Sequence, residues 1–128
     1  MSDEHGAQFS STYGHPIIET PNMDRLAEQG VTFEANYCNS PLCIPSRASF
    51  MTGQYVSTIE VWDNTKPMAV DKLTWPYLLR NEGYDTALNG KMHLVGPDPL
   101  HGFEEQLSRD PHIEAPLDHY RWSDGIPT

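Results

Sequence analysis

The chain has 128 residues, of which 38% are hydrophobic and 20% charged, an ordinary globular composition that suffices for one small domain or part of one. Eighteen Asp and Glu against eight Lys and Arg give a formal charge of -10, which excludes an extended nucleic-acid surface, because phosphate binding needs clustered bases. No run approaches the roughly 18 to 20 apolar residues of a membrane span, so no membrane partner is expected, and the opening residues lack the basic-then-apolar signal pattern, which favours a cytoplasmic location over secretion.

The chain opens on Ser2-Asp3-Glu4-His5 with no apolar strand in front, which predicts a fold truncated at its start. Thr20 as cap, Pro21 in the first turn, Met23, Leu26 and Ala27 on one face, and Gly30 as terminator predict a helix over 20–30. Val31, Phe33 and Ala35 then alternate with Thr32 and Glu34, the period of a half-buried strand. A loop containing Cys38, Pro41, Cys43 and Pro45 leads into a short helical segment over Ser46 to Met51, closed by Thr52-Gly53, which sets Cys43 near a helix N-terminus. Leu73, Tyr77 and Leu78 have helical spacing, with Pro76 in the first turn and Gly83 as stop. Tyr84 to Asn89 reads as a strand, and Gly90-Lys91-Met92-His93 follows at its C-terminal end, where open α/β sheets place ligands. From Pro97 onward periodicity fades, predicting loops with a short helix near Glu104. The alternation of helix and strand predicts the α/β class.

Two cysteines make neither a disulfide framework nor a zinc site. Cys38, without a motif around it, is expected to be a small buried hydrophobe. Cys43 has a motif. The stretch Cys43-Ile44-Pro45-Ser46-Arg47, with Thr52-Gly53 following, resembles the signature of the sulfatases, formylglycine-dependent hydrolases of the alkaline-phosphatase superfamily. The resemblance implies that Cys43 is oxidised to formylglycine by a modifying machinery that reads Pro45 and Arg47, and that the hydrated aldehyde is the nucleophile. The residues agree, since a nucleophile at a helix N-terminus beside a guanidinium suits an anionic ester. The alternative is a buried structural Cys with Arg47 on a solvated face. A tyrosine-phosphatase-like loop is excluded by spacing: that loop separates Cys and Arg by five residues, this one by three.

Gly90-Lys91-Met92-His93 resembles a second sulfatase element. In an extended segment Lys91 and His93 point to the same side, so Lys91 is expected to hold an ester oxygen and His93 to hydrogen-bond the nucleophile or leaving group. Asp3-Glu4 stands where the family carries paired acids for a calcium-class divalent metal, although the second position is Glu rather than the family's Asp, and Cys43 in its modified form is the third expected ligand. Asn64 aligns with an Asn near the ester in some relatives. Tyr13-Gly14-His15 and Thr20-Pro21-Asn22 also resemble the family and read as scaffold.

The resemblance covers residues 1–103 of what reads as the N-terminal part of a catalytic domain over 1–128, with 104–128 rich in loops. It implies a partial alkaline-phosphatase-like sheet with flanking helices and a metal-dependent sulfuric ester hydrolase. The expected partners are a small-molecule sulfate ester and the formylglycine-generating machinery. Family members take further metal ligands, a Lys and a His from later sequence, so this chain by itself is expected to be an inactive fragment. One rival is a phosphonate or phosphate ester hydrolase of the same superfamily, which Lys91 and His93 disfavour. A second is a non-catalytic fragment.

Overall fold

The computed structural model describes residues 1–108 and Asp110, and the chain forms two compact units, Met1–Tyr37 and Cys38 onward.

In the first unit two short 3-10 turns, Ala7–Phe9 and Ser11–Tyr13, precede helix α1, Pro21–Gln29, which starts and stops where Thr20, Pro21 and Gly30 direct. The turns are fastened to α1 by hydroxyl chemistry. Thr20 Oγ1 accepts from Ser11 N at 3.1 Å, and Asp24 accepts from Ser11 Oγ and Thr12 Oγ1, each at 2.6 Å. Those two hydroxyls, Ser11 first, hold the Asp24 carboxyl below its ordinary range. The strand expected over Val31 to Ala35 does not form: the segment is irregular, with Val31 77% and Phe33 68% exposed. Alternation specifies a face but not a partner. Among the described residues no strand lies alongside to complete its hydrogen bonds.

The second unit contains α2, Cys43–Thr52; α3, Val56–Ile59; α4, Trp75–Asn81; and two short strands, β1, Ala87–Leu88, and β2, Glu105–Gln106. Helix α2 extends three residues further toward the N-terminus than the spacing predicts, because Pro45 falls in the first turn, where its missing N–H is not needed. It ends at Gly53, whose φ of 68° only a glycine adopts without strain. Helix α4 follows its Thr74 cap, with Pro76 in the first turn. The predicted strand over 84–89 is present only as Ala87–Leu88.

Strand β2 corrects the helix expected near Glu104. It pairs in parallel with β1, Ala87 opposite Glu105 and Leu88 opposite Gln106. Thr86 directs this pairing, its carbonyl accepting Glu104 N at 2.9 Å. The parallel crossover, with helices on the sheet, confirms the α/β class. The loops expected over 111–128 lie outside the described residues.

The core of this unit lies between α2 and the sheet. Ile44, Ala48 and Met51 project from α2, Ile59 from α3, and Leu88, Leu94, Leu100 and Phe103 meet them, each at most 7% exposed. Trp75 stands edge-on to Phe103 with centroids 5.4 Å apart and also edge-on to Phe50 at 6.1 Å, joining α4 to α2. The face of α2 that carries Ile44, Ala48 and Met51 is thereby fixed, and so is the direction in which its N-terminus points.

Candidate active site

Cys43 is the first residue of α2, partly exposed, where the helix dipole creates positive potential. Leu42, extended at φ -101°, turns the chain into the helix, and its carbonyl accepts Ser46 N at 3.0 Å. The Asn64 side chain completes the turn, its Oδ1 accepting Ile44 N at 3.0 Å. The residue that the sequence placed near the ester thus sits at the N-terminus of α2, one residue from Cys43, and holds the backbone there.

Lys91 arrives from the other side of the unit. Its Nζ lies 3.7 Å from Cys43 Sγ, across 48 positions of sequence. Arg47, one turn along α2 and only 5% exposed, donates from Nη1 to the Lys91 carbonyl at 2.7 Å and touches Met92 Sδ at 3.9 Å. One ammonium and a helix N-terminus therefore meet at one partly exposed sulfur, with the Arg47 guanidinium held against the backbone of the same lysine. That arrangement attracts an anion and stabilises negative charge that develops next to position 43.

The Lys91–His93 segment is not extended as expected. It belongs to no strand, and His93 has a φ of 55°, in the left-handed region. The alternation that would set both side chains on one side does not apply there. His93 N and Met92 N both donate to Asp110 Oδ2, the latter at 2.7 Å, and Asp110 is 1% exposed. Sequence reading missed Asp110. A lone Asp between Arg109 and Pro111 has no local signature, and its partners lie 17 and 18 residues earlier.

Cys38 is exposed rather than buried. Its Sγ donates to the Ser40 carbonyl at 2.7 Å and meets Ser46 Oγ at 3.0 Å, so polar groups of its own loop and of α2, not apolar packing, satisfy it.

Asp3 and Glu4 are exposed, at the N-terminal end of the first unit, and Glu4 has a left-handed φ of 54°. Their carboxylates suit a hard divalent ion in kind. In number they do not make a cage: among the described residues no three His, Cys, Asp or Glu side chains cluster to hold a metal, whereas a calcium-class ion takes about six to eight oxygens.

A second polar cluster underlies α4. Tyr77 donates from its hydroxyl to Asp98 Oδ2 at 2.9 Å, and burial, reinforced by this bond, pushes the phenol up to about 12. Asp98 Oδ1 accepts Leu100 N at 3.1 Å and His101 N at 3.0 Å. The His101 ring is 1% exposed, and burial holds its pKa below the ordinary value against the opposing pull of Asp98. These groups pack the turn before β2, away from Cys43 in the chain and in their contacts.

Comparison with known proteins gives one family. The sulfatase family model matches residues 1–122. The choline-sulfatase of Rhizobium meliloti (strain 1021) is 50% identical over 94 residues, covering 73% of this chain and 18% of that protein. The N-acetylglucosamine-6-O-sulfatase of Bacteroides thetaiotaomicron is 42% identical over 95 residues, covering 74% of this chain and 17% of that protein. Among solved structures, a complex with the substrate D-glucosamine-2-N,6-O-disulfate superposes with a TM-score of 0.76 at 40% identity, over 83% of this chain and 21% of that one. The phosphonate monoester hydrolase of Agrobacterium radiobacter superposes with a TM-score of 0.64 at 32% identity, over 82% of this chain and 20% of that one. The chain thus spans about a fifth of the length of the relatives it matches.

Proposed function

We propose, from the premise that this chain belongs to the sulfatase family, that it carries the nucleophile end of a sulfuric ester hydrolase acting on a small-molecule sulfate ester, with Cys43 converted to formylglycine. The observation that carries this reading is the placement of Lys91 Nζ 3.7 Å from Cys43 Sγ at the N-terminus of α2. Formylglycine at position 43 would, as its hydrate, supply the oxygen nucleophile toward sulfur, the alcohol being the first leaving group and sulfate the second as the aldehyde re-forms. A thiol at the first position of a helix, partly exposed, fits that modification.

The residues around it have separable tasks. Lys91 offsets charge on the sulfate oxygens as the ester bond breaks. Arg47 adds a fixed positive charge and, through the Lys91 carbonyl, fixes where the lysine originates. Asn64 keeps the first turn of α2 closed by accepting the Ile44 N–H, so that the positive end of the helix dipole stays at position 43. For His93 the family resemblance alone supports a hydrogen bond to the nucleophile or the departing alcohol oxygen. Asp3 and Glu4 are the acids for a calcium-class ion, and no step is assigned to that ion because the described residues do not complete its ligand set.

A phosphonate monoester is the competing substrate class, favoured by the structural likeness to the phosphonate monoester hydrolase. Production of the protein together with a formylglycine-generating system tests the modification. Peptide mass spectrometry is expected to show Cys43 lighter by about 18 Da, the difference between a thiol carbon and an aldehyde. An unaltered thiol under those conditions contradicts the reading.

A further inference from the structure

We infer that Asp110 is a positioning residue that holds Lys91 against Cys43, and this rests on the reading of Cys43 and Lys91 as the reacting end of a sulfatase site. A lysine side chain is long and loses rotamer freedom when ordered, so its aim depends on how firmly its own backbone is held. Here that backbone has no ladder or helix to hold it, since residues 90–95 belong to neither. It is gripped instead from three sides. Gly90 N donates to Ser108 Oγ at 2.8 Å, the Lys91 carbonyl accepts from Arg47 at 2.7 Å, and the next two amides both donate to Asp110 Oδ2.

The third grip joins two successive amides to one carboxylate oxygen. Successive N–H groups, the second on a left-handed residue, form a concave nest that favours an anion, and the anion is the chain's own carboxylate. His93 at φ 55° is a strained conformation for a residue with a Cβ, and such strain persists only where surrounding contacts over-determine it. Asp110, 1% exposed, is stabilised by the nest in return, because hydrogen bonds lower the cost of burying a carboxylate. Loss of the carboxylate frees His93 to relax out of the left-handed region, which rotates the peptide next to Lys91 and swings its ammonium away from position 43.

Two substitutions separate positioning from mere support of the fold. Asp110→Asn keeps a carbonyl oxygen that accepts both amides, whereas Asp110→Leu keeps the volume and removes the acceptor. In a full-length sulfatase carrying these residues, with Cys43 converted, Asp110→Leu is expected to lower kcat on an activated aryl sulfate by about 100-fold, the effect of an ångström-scale misplacement, with KM little changed and with Asp110→Asn restoring most of the loss. Amide NMR provides the second readout. The Met92 and His93 protons are expected downfield and slow to exchange in the parent, moved upfield in Asp110→Asn, and lost to solvent exchange in Asp110→Leu. A parent-like kcat per folded molecule in Asp110→Leu, with only the unfolding midpoint lowered, overturns the proposal. If the parent turns over no sulfate ester, the proposed function fails, and Asp110 is judged by the amides alone: unshifted Met92 and His93 signals in both variants overturn it. Should Asp110→Leu not fold, parent-like Met92 and His93 shifts in Asp110→Asn also overturn it.

Discussion

At the residue scale the site is a matter of charge placed next to one sulfur. Lys91 is the component whose removal separates function from folding. Its ammonium meets Cys43 Sγ at 3.7 Å, and a partly exposed lysine contributes within about 0.5 kcal/mol to stability. In a full-length sulfatase carrying these residues, Lys91→Ala is therefore expected to lower kcat/KM for a sulfate ester by about 100-fold or more while leaving the unfolding free energy nearly unchanged, as paired kinetic and denaturation measurements will show. A second residue-scale expectation concerns pH. Burial depresses the His101 pKa in the folded protein below its ordinary 6.5, so the unfolded chain binds the proton first as pH falls. His101 thus contributes stability that is fully present above 6.5 and is lost as pH drops through its lower folded value. Substitution with Asn, which tolerates the left-handed φ of 40° at this position, is expected to flatten that slope in urea titrations run at successive pH values. An unchanged slope would remove His101 as its source.

At the scale of the element, the sequence was most legible where local chemistry decides. Helices α1 and α4 start and stop near their Pro and Gly signals because a missing N–H in the first turn and a glycine after the last act within one turn. Strands were less legible, since a strand requires a partner that its own residues do not name. Val31 to Ala35 has the right alternation and no described partner, whereas Glu105–Gln106 has little alternation and pairs because Thr86 and Leu88 present their carbonyls. The turn into β2 illustrates how such a partner is positioned. Gly102 has a φ of 103°, and a Cβ there would fall 2.6 Å from Tyr77 N and 3.1 Å from Thr74 Oγ1, so only a glycine lets this turn lie against the first turn of α4. Gly102→Ala is expected to destabilise the protein by roughly 2–4 kcal/mol, combining backbone strain with displacement of α4. Thermal unfolding measures it, and a change below about 0.5 kcal/mol would show that the turn accommodates the methyl.

At the scale of the whole molecule, the candidate site is an outcome of packing that no single segment encodes. The motif around Cys43 named the nucleophile and Arg47, and the Gly-Lys-Met-His segment named Lys91. Their meeting depends on the α2 face of Ile44, Ala48 and Met51 seating against Leu88 and Leu94, which turns the N-terminus of α2 toward the end of β1. The contacts that complete it, Arg47 to the Lys91 carbonyl and Asp110 to the Met92 and His93 amides, join backbone groups 44 and about 18 positions away. Backbone groups have no sequence signature, so these contacts were unreadable in advance. The acids at Asp3 and Glu4 belong to the other unit, and their part in metal binding stays with the family resemblance rather than with geometry.

The most direct measurement compares sulfate and phosphonate monoester turnover by a full-length sulfatase carrying these residues, with Cys43 converted, and by its Cys43→Ala variant. Sulfate hydrolysis that exceeds phosphonate hydrolysis and disappears in Cys43→Ala is the predicted result. Turnover that survives Cys43→Ala, or that favours the phosphonate, would contradict the account.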